Sequence, residues 1–327
     1  MDTPCAKRRS RWAGILPALA VFLVVAAPAG TGQVPASAQA AQEPGRIDGE
    51  ALVRDLSIIA ADSMAGRLAG SDGGRRAGEY LLSRLVESGT VPVGGVRRQA
   101  FPLGRGTAEG ATGVNVFGMI PGVEHPGRYI VVSAHYDHLG VRGGEIYNGA
   151  DDNASGSAAL PALAAYLASN PPRHSFLFVA FDAEEIGLLG ARAFVSDPPV
   201  PLASILLNVN MDMIGHSAAG ELYAAGTYHY PALGPLVEEA ASEAEVTLLA
   251  GHDSPELSAR DDWTDLSDHA AFHARGIPFL YFGVEDHEDY HRPTDTVESL
   301  TLDFYVDAVE AILGFLLLTD REGERID

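Results

Sequence analysis

Imidazoles and carboxylates come along this chain in the order His135, Asp151-Asp152, Glu184-Glu185, Asp212 and His291. Zinc accepts His nitrogen and carboxylate oxygen with similar ease, and two ions can share one carboxylate. Two imidazoles and three carboxylates with a further carboxylate beside one of them therefore read as a two-metal hydrolase.

Each residue also has an ordinary alternative. His135 ends the apolar run Tyr129 to Ala134, and Asp137 stands two residues on, where its carboxylate could accept the second ring N–H and orient the imidazole. Asp151-Asp152-Asn153 precedes an alanine-rich stretch and could be no more than a turn and helix cap. Glu184-Glu185 could simply complement the dipole of a helix beginning there. Asp212 and His291 could be turn or loop residues, and the other histidines read as structural, with His138 and His269 nearest to informative residues. The conjunction outweighs these readings, because five donors placed at strand ends in one order are not expected from unrelated turns.

The elements that must position them follow from the hydrophobic pattern. Continuous apolar runs at Tyr129 to Ala134, Phe176 to Phe181, Ile205 to Asn210 and Ile277 to Phe282 predict strands covered on both faces. Between them, Ser155 to Ser169, Glu184 to Val195, Pro231 to Glu245, Ser267 to Arg275 and Leu302 to Leu318 suit helices. Two amphipathic helices are expected earlier, over 48–62 and 72–89, separated by a Gly-rich turn. Strands alternating with helices predict an α/β sheet with helices on both faces. Sites in such sheets lie at the carboxyl ends of the strands, where these donors fall.

Residues 1–38 read as a signal peptide: Lys7, Arg8, Arg9 and Arg11 precede the apolar run Trp12 to Ala27, and Ala36-Ser37-Ala38 offers a cleavage site. Residues 39–47 form a polar linker, and 48–327 form the catalytic domain. The expected destination is secreted or periplasmic. The only cysteine, Cys5, precedes the apolar run, so the exported chain has no disulfide. A formal charge of −22 argues against nucleic acid and anionic membrane as partners, and removing the basic leader makes the chain more acidic still.

Ser133-Ala134-His135-Tyr136-Asp137, Gly149-Ala150-Asp151-Asp152-Asn153-Ala154-Ser155-Gly156, Ala183-Glu184-Glu185-Ile186-Gly187-Leu188, Asn210-Met211-Asp212, Ser267-Asp268-His269 and Tyr290-His291 together resemble the secreted bacterial di-zinc aminopeptidases. Glutamate carboxypeptidase and glutaminyl cyclase are relatives in the same superfamily. The resemblance implies a single α/β domain with a mixed, mostly parallel central sheet flanked by helices on both faces, and two Zn²⁺ per chain, with His135 and Asp212 on one ion, Glu185 and His291 on the other, and Asp152 bridging. It implies Glu184 as general base, Tyr290 as a donor to the oxyanion, a cis peptide at Asp152-Asn153, and Asp268 and Asp295 as supports behind the ligands. The activity it implies is hydrolysis of the first peptide bond of peptides with a free amino terminus. Glutaminyl-cyclase-type aminoacyl transfer and carboxypeptidase action are the alternatives.

Overall fold

The structure is a computed structural model that describes residues 46–104 and 111–323. The expected signal peptide, most of the linker after it and part of the loop at 104–113 lie outside the described residues. In chain order the main elements are α1 (Gly49–Ile59), α2 (Asp72–Glu87), β1 (Arg98–Pro102), β2 (Thr112–Ile120), β3 (His125–His135), β4 (Gly140–Arg142), β5 (Glu145–Tyr147), α3 (Gly156–Ser169), β6 (His174–Phe181), α4 (Leu189–Ser196), β7 (Ile205–Met211), β8 (Glu221–Ala225), α5 (Gly234–Glu243), β9 (Thr247–Ala250), α6 (His269–His273), β10 (Phe279–Gly283) and α7 (Leu302–Glu322). None of the described helices is long and apolar enough to cross a membrane.

Eight strands form one sheet in the order β1-β2-β6-β3-β7-β10-β8-β9, and β4 and β5 make a separate hairpin. The four central strands β6, β3, β7 and β10 run parallel, with Ala134 opposite Ala180 and Val132 opposite Val209. Antiparallel pairings join β2 to β6, β1 to β2 and β8 to β10. The sheet is thus mixed, with a parallel centre, as the resemblance implied.

Period-two alternation sends neighbouring strand residues to opposite layers. Ile130, Val132, Ala134, Phe176, Phe178 and Ala180 join one apolar cluster with α1, α2, α3, α5 and α7. Val131, Leu177, Val179 and Phe181 join another with α4 and α6. Both faces are covered, which is why the central strands read as unbroken apolar runs. Fully burying a Leu or Phe side chain of this kind contributes roughly 1.5–3 kcal/mol, so these layers hold the strand ends rigidly in register.

Local signals place the first helices. Asp48 caps α1 by accepting the N–H of Ala51, and Ser71 caps α2 by accepting that of Gly74. Three expectations need correction. The helix predicted from Glu184 begins only at Leu189, because Ala183, Gly187 and Leu188 adopt positive φ and turn the chain first. The helix predicted over Ser267 to Arg275 shortens to α6, and the strand predicted from Ile277 starts at Phe279. Strands β1, β2, β8 and β9 carry only short or interrupted apolar runs, and Arg98, Gln99 and Ala100 in β1 are exposed or half-buried, so patterning alone does not find them.

Candidate metal centre

Every predicted donor comes from the carboxyl edge of the central strands. His135 is the last residue of β3, Asp212 follows β7, the turn holding Glu184 and Glu185 follows β6, and the loop bearing Tyr290 and His291 follows β10. Asp152 sits in the turn before α3, where the Asp152-Asn153 peptide is cis, as the resemblance implied. That turn is tightly held. Asp295 Oδ1 and Oδ2 accept the N–H groups of Asp151 and Asp152 at 2.8 and 3.1 Å, while Asn153 Nδ2 donates to Met211 O at 2.9 Å and ties the turn to β7. Gly149, at φ +56, opens it; a Cβ there would lie 2.1 Å from Asp152 O, so only glycine fits.

The two oxygens of Asp152 are divided between two imidazoles. Oδ1 lies 3.4 Å from His135 Nε2, and Oδ2 lies 3.1 Å from His291 Nε2. His135 Nε2 also faces Asp212 Oδ1 at 3.1 Å, and His291 Nε2 faces Glu185 Oε2 at 3.4 Å. The donors therefore form two pockets that share one carboxylate, the arrangement expected of a co-catalytic pair of ions. The chemistry of the donors fits metal as well: nitrogen and carboxylate oxygen converge, and Glu185 Oε1 is buried without a hydrogen-bond partner.

Glu184 and Tyr290 line the same cavity, of about 340 Å³, together with His135, Asp152, Asp212 and His291. Met213, Trp263, Leu266 and Val284 add an apolar wall. The Tyr290 ring stacks on His291, with centroids 4.0 Å apart. His291 itself has φ +56, a left-handed conformation rare outside glycine.

Asp137 does not hold His135 as expected. His135 Nδ1 meets the backbone carbonyl of Asp137 at 3.2 Å, whereas the carboxylate stands 3.7 Å away. That carboxylate accepts the N–H of Glu184 at 2.9 Å and of Glu185 at 3.4 Å, and so shapes the turn carrying both glutamates. Asp295 supports the Asp152 turn as predicted. Asp268 is fully buried, but neither of its oxygens has a hydrogen-bond partner, so its expected supporting contact is not made.

A polar chain through the sheet sets the rotamer of Asp212. Asn208 donates to Ser133 Oγ, Ser133 to Asn210 Oδ1, Asn210 to Ser267 Oγ and Ser267 to Asp212 Oδ2, the last at 2.7 Å. With Oδ2 occupied, Oδ1 is turned to His135. Ser133, Asn210 and Ser267 belong to the motifs that carry the resemblance, but nothing in the sequence gave them this role, and Asn208 lies within an apolar run.

The crowding of carboxylates has an electrostatic signature. Burial, then the Asp152 charge, pushes Glu185 up to about 8; burial pushes Asp268 up to about 8; and burial with Asp151 pushes Asp295 up to about 7. Burial also raises Glu184 well above the usual range, with His135 opposing and Asp212 reinforcing the shift. Burial and the nearby carboxylates raise Tyr290, so its phenol stays protonated as a donor. An anionic pocket of this kind gains from divalent cations.

Two residues went unread in the sequence. Arg67, fully buried, donates to the carbonyls of Ile59, Tyr136, Asn148, Gly149 and Asp152, clamping together the loops after β3 and before α3. Nothing in its Gly-rich neighbourhood marked it. His138, taken as structural, lies with Nδ1 2.6 Å from Glu185 Oε1; its place three residues after His135 was the one available signal.

The family model described as "Peptidase family M28" matches residues 115–316. Aminopeptidase YwaD of Bacillus subtilis is 33% identical over 191 residues, covering 55% of this chain and 38% of that protein. Leupeptin-inactivating enzyme 1 of Streptomyces exfoliatus is 31% identical over 242 residues, covering 72% of this chain and 49% of that protein. The chain thus spans less than half the length of these two curated relatives. The crystal structure of Porphyromonas gingivalis glutaminyl cyclase superposes with a TM-score of 0.68 over 84% of this chain and 99% of that one, at 17% identity, a likeness of fold alone.

Proposed function

The chain belongs to peptidase family M28, and from that premise we propose that it is a zinc-dependent aminopeptidase, hydrolysing the first peptide bond of peptides with a free amino terminus. The observation that carries the two-ion part is the division of Asp152 Oδ1 and Oδ2 between His135 and His291. In this reading His135, Asp212 and Asp152 hold one Zn²⁺, and Glu185, His291 and Asp152 hold the other. Such ions make water at the site more acidic and polarise the scissile carbonyl.

The remaining work falls to side chains. Glu184, unclaimed by either pocket, takes the proton of the attacking water and passes it to the leaving amine. The Tyr290 hydroxyl donates to the oxyanion as it develops, a contribution typically of about 3 kcal/mol. The cavity lining includes Glu184, Glu185, Asp212 and Asp286 and, among the described residues, no Lys or Arg. With Glu185, Asp152 and Asp212 taken up by the ions and Glu184 by proton transfer, Asp286 is the lining carboxylate left for a substrate ammonium, and no basic side chain of the lining awaits a terminal carboxylate, which favours amino- over carboxypeptidase action. Export by the basic, apolar leader belongs to the same proposal.

Mass spectrometry of the products from unblocked, amino-blocked and glutaminyl peptides tests it. Release of the first residue from unblocked peptides only is expected. Release of the last residue sinks the reading in favour of a carboxypeptidase, and loss of ammonia with ring closure on the glutaminyl peptide sinks it in favour of a cyclase.

A further inference from the structure

We propose that His138 is a fourth protein ligand of the Glu185–His291 ion, so that the two ions occupy unequal sites. This rests on the two-ion reading above. The His138 ring is fully buried, tucked over Gly149 and 5.9 Å from the ring of His291. Its Nδ1 is 2.6 Å from Glu185 Oε1 and 3.7 Å from Asp152 Oδ2, and one nitrogen of His138 and one oxygen each of Asp152 and Glu185 lie within 4.8 Å of one another.

Neither ring nitrogen of His138 has a hydrogen-bond partner, and neither does Glu185 Oε1, because their close approach lacks hydrogen-bonding geometry. A fully buried imidazole with both nitrogens unsatisfied, beside a buried carboxylate oxygen in the same condition, is costly, and a cation between them would take up one lone pair from each.

The consequence is asymmetry. The pocket of His135, Asp152 and Asp212 offers three protein residues, which leaves a position open for water or substrate. The pocket of His138, Asp152, Glu185 and His291 offers four, the number that closes a tetrahedral zinc site. The first pocket is therefore the exchangeable, substrate-facing one, and the second holds its ion more firmly.

The test compares wild-type protein with His138→Ala and His138→Asn by competition against a chromophoric zinc chelator, after thermal melts show that the variants fold. Asparagine keeps an N–H donor near the Nδ1 position but is a poor zinc ligand, so it separates ligation from mere hydrogen bonding to Glu185. Both variants should hold one ion as wild type does and bind the other on the order of 100-fold more weakly. Long-range ¹H–¹⁵N correlation of the zinc-loaded wild type should show three metal-bound imidazoles and the Asn variant two. Wild-type affinity for both ions in either variant, or only two metal-bound imidazoles in wild type, overturns the assignment of His138. Should wild-type protein itself bind fewer than two ions, the two-ion reading fails, a result distinct from failure of His138 alone. If a variant does not fold, the imidazole count in wild type still decides.

Discussion

The carboxylate of Asp137 accepts the backbone N–H of Glu184 at 2.9 Å, so the residue two positions beyond one proposed ligand fixes the turn that presents the proposed base. The same carboxylate reaches Glu185 N–H at 3.4 Å. One residue from the loop after β3 thus couples both glutamates after β6 to His135, through its carboxylate on one side and its backbone carbonyl on the other.

Asp137→Asn tests that coupling. An amide keeps the volume but has one acceptor oxygen, and its NH₂ faces an N–H it cannot satisfy. Activity should fall about 10–100-fold, with folding retained, as is typical when a group orienting a metal site is altered. Steady-state rates alongside a thermal melt provide the check, and an unchanged rate would show that the turn holds itself.

Glu184 and Glu185 are adjacent but should behave differently. Glu184→Gln should leave the metal content intact and lower activity by about 10²–10⁴-fold, whereas Glu185→Ala should lose metal as well as rate. Zinc analysis of both purified variants separates them. Loss of zinc from Glu184→Gln would reverse the two assignments.

The metal-free protein should be less stable at pH 8 than at pH 5. Glu185 and Asp268 are pushed up to about 8, and Asp182 and Asp295 to about 7, chiefly by burial. In the unfolded chain such carboxyls titrate near about 4. Between those values the folded state holds more protons than the unfolded, so stability falls as pH rises through that window, and below it the penalty vanishes. Melting the chelated protein across the range provides the measurement; zinc should restore more stability at pH 8 than at pH 5. A chelated protein equally stable at both ends would contradict the argument.

Arg67→Met should cost about 3–5 kcal/mol, the range seen when a buried charged partner is removed. Five carbonyls accept from this guanidinium, although burial draws its pKa down to about 10. Methionine fills the space but leaves those oxygens unsatisfied. The urea midpoint is the observable, and a shift equivalent to less than about 1 kcal/mol would show that the clamp is dispensable.

The order of donor types, the four central strands and the family to which they point were legible along the chain, because each depends on local residue type or on period. His135, Asp212 and Glu184-Glu185 announce themselves by falling where an apolar run stops. What a side chain contacts is set instead by positive-φ turns and by approaches between distant segments. Ala183 and Leu188 bend the chain so that Glu184 precedes a helix it was expected to begin. Asp137 turns its carboxylate to that bend and leaves its carbonyl to His135, a choice invisible in the spacing of the two residues. Arg67 and His138 came to the centre only through loop packing, Arg67 from before α2 and His138 through its approach to Glu185. Sequence determined which atoms were available to bind and react; tertiary structure decided which of them meet, because hydrogen bonds between segments far apart in the chain leave no periodic trace within either one.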